Sequence, residues 1–163
     1  MFGSSGTVLP GSTNTTPVTS YSVAIGVGSY AGNPWWGDNI ALGNQAKASG
    51  GYATALGADA SAPGAGNVAV GWGATTTTPS PIARNAVADN VAVGPNAYAG
   101  GATNAPGHDS AVGSSAHASG GYSSALGARA HASGRKAVAV GFSSIAAGAQ
   151  GFALGSYASA TGN

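Results

Sequence analysis

Few side chains in this 163-residue chain have chemistry to offer. The acidic residues are Asp38, Asp59, Asp89 and Asp109, with no glutamate, and the histidines are His108, His117 and His131. Glycosidic cleavage uses two carboxyl groups placed across a sugar, and nothing in the spacing of the four aspartates pairs two of them. His108-Asp109-Ser110 has the residue types of a nucleophilic triad. Three adjacent residues cannot adopt nucleophile–base–orienter geometry, so the run reads as the end of an insertion and the start of a strand. No Gly-Lys-Ser/Thr follows any glycine, which excludes a phosphate loop. His117 and His131 are the weak metal candidates. They lie fourteen residues apart, and imidazole pairs bind metal ions. The same position elsewhere holds Lys47, Tyr98 and Ser159, so it reads first as outward and polar. The reading is therefore non-enzymatic, with no catalytic residue, no cofactor and no resident metal.

Those histidines share a position because the chain is a repeat. Ser110 to Gly162 contains Ser-Ala-Val-Gly, Ser-Ala-Leu-Gly, Val-Ala-Val-Gly and Phe-Ala-Leu-Gly, closing at Gly113, Gly127, Gly141 and Gly155, fourteen residues apart. A second glycine follows seven residues behind each: Gly120, Gly134, Gly148 and Gly162. Earlier closing glycines are Gly26, Gly43, Gly57, Gly71 and Gly94. The residue before each of the nine is a branched aliphatic, and the one before that is always alanine. Self-similarity at fixed period marks a stacked-repeat architecture. Alternating residues within each unit read as strand, and glycine supplies the positive φ of a corner. Two five-residue strands and two corners close one flattened coil, and about nine coils stack as an all-β solenoid. A helix is excluded, because a glycine every seven residues would cost it about 1 kcal/mol each and the apolar period is two.

The opposite face of the first strand carries alanine in every copy. Such a column is expected where another backbone comes close, so Ala55, Ala69, Ala125, Ala139 and Ala153 are assigned to subunit packing. A thin core also favours association, and a symmetric homo-oligomer is the default.

Asn67-Val68-Ala69-Val70-Gly71, Asn90-Val91-Ala92-Val93-Gly94 and Ser22-Val23-Ala24-Ile25-Gly26 resemble the head repeat of trimeric autotransporter adhesins (the YadA-like head repeat). Ala46-Lys47-Ala48-Ser49-Gly50 also matches. The resemblance covers residues 22 to 162. It implies a left-handed parallel β-roll, a homotrimer and an adhesive role.

The chain divides into an N-terminal extended arm, 1–21, and a β-roll head, 22–163. The arm is a possible attachment segment, with Phe2, Val8 and Leu9 as apolar anchors. Three corners carry extra residues, near 33–38, 78–89 and 101–109. Equivalent insertions in a solenoid emerge on one face, often the binding face. Trp35, Trp36, Arg84 and His108 are the candidate recognition residues, since exposed aromatics stack on sugars or anchor protein contacts. The first reading of Trp35 and Trp36, however, is a cap over the first coil that hides its open strand edge.

Lys and Arg total 5 against 4 acidic residues, so nothing provides the electrostatic footprint of a nucleic-acid or anionic-membrane partner. No apolar run approaches a membrane span. The leader has neither the basic stretch nor the apolar core of a secretory signal, and no neck, stalk or barrel sequence follows the repeat. The expected role is thus a virion decoration or fibre protein at the virion surface, attached by its arm to a virion structural protein and able to contact a host cell-surface glycan or protein. The alternative is the head of a bacterial trimeric autotransporter adhesin, displayed at the cell surface and binding host matrix or cells.

Overall fold

The computed structural model describes residues 13–14, 21–32, 37–77, 89–101 and 107–162. Strand β1 (Thr13–Asn14) precedes nine coils, each a three-residue and then a two-residue strand. In order they are β2 (Val23–Ile25) and β3 (Tyr30–Ala31), β4 (Ile40–Leu42) and β5 (Lys47–Ala48), β6 (Thr54–Leu56) and β7 (Ser61–Ala62), β8 (Val68–Val70) and β9 (Thr75–Thr76), and β10 (Val91–Val93) and β11 (Tyr98–Ala99). There follow β12 (Ser110–Val112) and β13 (His117–Ala118), β14 (Ser124–Leu126) and β15 (His131–Ala132), β16 (Val138–Val140) and β17 (Ile145–Ala146), and β18 (Phe152–Leu154) and β19 (Ser159–Ala160). All pairing is parallel and in register: Ala111 lies beside Ala125 and His117 beside His131. The even-numbered strands form one nine-stranded sheet and the odd-numbered strands a ten-stranded one. At the strand spacing of sheets, nine coils make a rod about 40 Å long. No helix occurs among the described residues. The chain is an all-β parallel solenoid.

The strands are shorter than the five residues expected, because the corners use more of each unit. Gly127 sits at φ 130°, and a Cβ there would meet the Gly141 carbonyl oxygen at 2.6 Å. Only glycine combines that dihedral with that closeness. Gly134 has no positive φ; a Cβ there would collide with the Gly148 carbonyl oxygen of the next coil. The second glycine of the repeat therefore answers to close backbone stacking, not to the corner dihedral. Non-glycine residues supply further left-handed positions, such as Arg129 at φ 58° and Tyr122 at φ 58°.

The alanine column corrects the assignment made from sequence. Ala55 and Ala69 are fully buried within the single chain, as is Ala139, while Ala125 and Ala153 are 1% and 3% exposed. They point into the coil, so they cannot be the surface on which subunits meet. They cluster with the alanines of the second sheet, Ala55 and Ala69 with Ala48 and Ala62, and Ala125, Ala139 and Ala153 with Ala118, Ala132 and Ala146. Every buried apolar side chain among the described residues is alanine. Two sheets joined by corners this tight leave room between them for methyl groups and little else. Backbone ladders complete the coil-to-coil cohesion, for example the Gly71 amide donating to the Leu56 carbonyl at 2.8 Å. Replacing Ala125 by Leu should therefore overpack the interior and lower stability by about 1–3 kcal/mol, read as a lower urea midpoint.

A polar ladder runs beside the alanines, four residues before six of the nine closing glycines. The Asn39 amide donates to Ser22 Oγ (3.1 Å), the Ala53 amide to Asn39 Oδ1 (2.9 Å), the Asn90 amide to Asn67 Oδ1 (2.9 Å) and the Asp109 amide to Asn90 Oδ1 (2.8 Å). Each side chain satisfies an amide of the next coil, as buried backbone groups require. Where alanine stands instead, at Ala53, the following Asn67 amide turns to the Gly64 carbonyl (3.3 Å). Thr76 replaces an interior alanine, and its Oγ1 accepts from Asn67 Nδ2 at 2.9 Å.

Candidate functional site

Alternation that sends alanine inward sends its neighbours outward. On the first sheet two columns result. The one beside the closing glycines is wholly aliphatic, from Ile25 and Leu42 to Val140 and Leu154. The other is mostly apolar, with Val68, Val91, Val138 and Phe152. Leu126 is 51% exposed and Leu154 65%. No charged residue stands in either column. Soluble chains rarely leave so long an apolar strip to water.

The corner leaving the first sheet adds aromatic surface. Trp72 and Tyr157 are exposed there. Phe142 meets Tyr157 edge-on at 5.4 Å, and the Arg129 guanidinium sits 5.9 Å from the Phe142 ring centre. The sequence reading singled out none of these. For Trp72 and Phe142 the signal was present, since each directly follows a closing glycine and so projects from a turn.

The opposite corner bears the insertions, which fall between β3 and β4, between β9 and β10, and between β11 and β12. His108 is placed here at φ 67°. Its ring stacks on Tyr122 (5.0 Å), and its Nδ1 lies 3.7 Å from Asp89 Oδ2. Trp35, Trp36 and Arg84 lie outside the described residues, as do Phe2, Val8 and Leu9 of the arm. The arm is not wholly apart from the roll, because the backbone of Thr13–Asn14 pairs with Tyr30–Ala31 at the end of the second sheet.

His108, Asp109 and Ser110 diverge. His108 turns to Asp89 on the corner, Asp109 turns inward to Ser123, and Ser110 begins β12 on the outer face. Asp109 is fully buried. Its Oδ1 accepts from the Ser123 amide (2.8 Å) and hydroxyl (2.7 Å), while Oδ2 makes no hydrogen bond. Burial pushes its carboxyl above the ordinary range, and the Ser123 hydrogen bonds only partly offset that. Sequence reading missed its burial, although an aspartate in a column that also holds Asn39, Asn67 and Asn90 was its mark.

His117 and His131 do meet, on the outer face of the second sheet, with ring centres 4.8 Å apart. Tyr98 stacks flat on the other side of His117 at 4.6 Å. Among the described residues no three His, Cys, Asp or Glu side chains gather as a metal cluster.

A charge-poor parallel solenoid with an exposed aliphatic face has the form of a structural rod. The model of the YadA head domain repeat matches residues 40–60, 48–74, 107–130 and 132–163, together more than half of the chain. The chain belongs to the YadA head family. No curated protein matches it significantly.

Proposed function

We propose that the protein is a non-enzymatic, homotrimeric adhesive head, and that its three copies meet through the outer face of the first sheet. The observation that carries this reading is the pair of apolar columns, half-exposed in one chain and free of charge. Burying apolar surface contributes about 25 cal/mol per Å², so a face that runs the length of the rod favours association strongly. Three copies follow the family pattern. The insertion-bearing corner then points away from the shared face and meets the ligand, a host surface protein or glycan, through His108 together with Trp35, Trp36 and Arg84. The arm, 1–21, serves attachment to the parent structure.

Light scattering of the purified chain should return three times the 15.3 kDa monomer mass. A folded monomer at micromolar concentration would sink the trimer. The setting is a bacterial surface, as an adhesin head, or a virion, as a fibre or decoration. Gene neighbourhood separates them: stalk and barrel sequence beside the head places it on a cell, virion structural genes place it on a particle.

A further inference from the structure

We propose that His117 and His131 form a two-imidazole site for a borderline divalent ion, such as Zn2+ or Ni2+, on the outer face of the second sheet. The parallel register brings the two residues side by side on adjacent strands. Their rings touch at 4.8 Å with planes 71° apart. The broad torsion of an imidazole about its last bond lets the His131 ring turn a nitrogen toward an ion shared with His117. Tyr98 holds His117 from below by stacking, which fixes one of the two ligands in advance.

One ring atom already lacks a partner. His117 Nδ1 is covered from solvent and makes no hydrogen bond, and a buried nitrogen of that kind asks for a missing proton donor or ion. Imidazole suits zinc, copper and nickel, and water completes the remaining positions.

The test uses the full chain without an affinity tag, titrated with Ni2+ alone and with Zn2+ alone by calorimetry. The expected result is saturable binding of one ion per chain, abolished in His117→Gln and in His131→Gln and retained in His108→Gln. These variants should fold, because the same column holds Lys47, Ser61, Thr75 and Ile145 in other coils. Circular dichroism checks that they do. In NMR spectra, substoichiometric Ni2+ should broaden the ring signals of His117 and His131 before those of His108. Absence of saturable binding overturns the site. So does binding that survives both single variants, or that disappears only with His108.

Discussion

A single Leu126→Glu substitution is expected to turn the proposed trimer into folded monomers. Leu126 is 51% exposed in the isolated chain, so a carboxylate there disturbs nothing inside the coil. In the proposed trimer the same position is covered, and each copy would bury a charge at a desolvation cost of several kcal/mol per ion. Light scattering should fall to the monomer mass while the β-sheet dichroism persists. The neighbouring residue provides the contrast. Ala125 is 1% exposed and faces the interior, so Ala125→Leu should lower the chain's own stability instead of releasing intact monomers. Two adjacent residues thus report on two different surfaces. Should Leu126→Glu leave the mass unchanged, the first-sheet face is not where the copies meet.

That contrast also marks what the sequence could and could not reveal. The period of fourteen residues, the closing glycines and the alternation are local properties, and they carry the solenoid with its in-register columns. Alternation says which side chains share a face. It does not say which face is inside. Alanine beside a column of valine and leucine invites the larger residues inward, and here the reverse holds. The corners bring the sheets too close for anything much larger than a methyl group, as the all-alanine interior shows. That closeness depends on dihedrals such as φ 130° at Gly127, which no hydrophobicity pattern encodes. The meeting of His117 and His131 was legible, because it follows from register alone. The stacking of His108 on Tyr122 was less so. The extra residues at 101–109 hide the fact that His108 occupies the same corner position as Tyr122.

The second large effect is on stability against pH, through Asp109. Asn39, Asn67 and Asn90 stand at the matching position in other coils. Asn90 satisfies both ends, its Oδ1 accepting from the Asp109 amide and its Nδ2 donating to the Thr77 carbonyl at 2.9 Å, whereas Asn39 Nδ2 makes no hydrogen bond. Asp109, when ionised, offers only acceptors, and its Oδ2 goes unsatisfied. Burial raises its folded-state carboxyl pKa above the unfolded value of 3.8. The folded state therefore binds the proton more tightly than the unfolded chain does. The stabilising contribution of the protonated acid is complete below 3.8. It is lost as pH rises through the raised folded value, and beyond that it stays lost. Asp109→Asn removes this dependence and supplies a donor in the bargain. The variant should be more stable than the parent at pH 7 by about 1–3 kcal/mol, the cost of one unsatisfied buried group. The gap should narrow as pH falls toward the unfolded value. Urea midpoints for both proteins across pH 3 to 8, on the order of one measurement per half unit, trace the curve. A gap constant across that range would mean that Asp109 does not change its protonation between the folded and unfolded states. A variant less stable than the parent at pH 7 would mean that the ionised carboxylate is satisfied inside the coil.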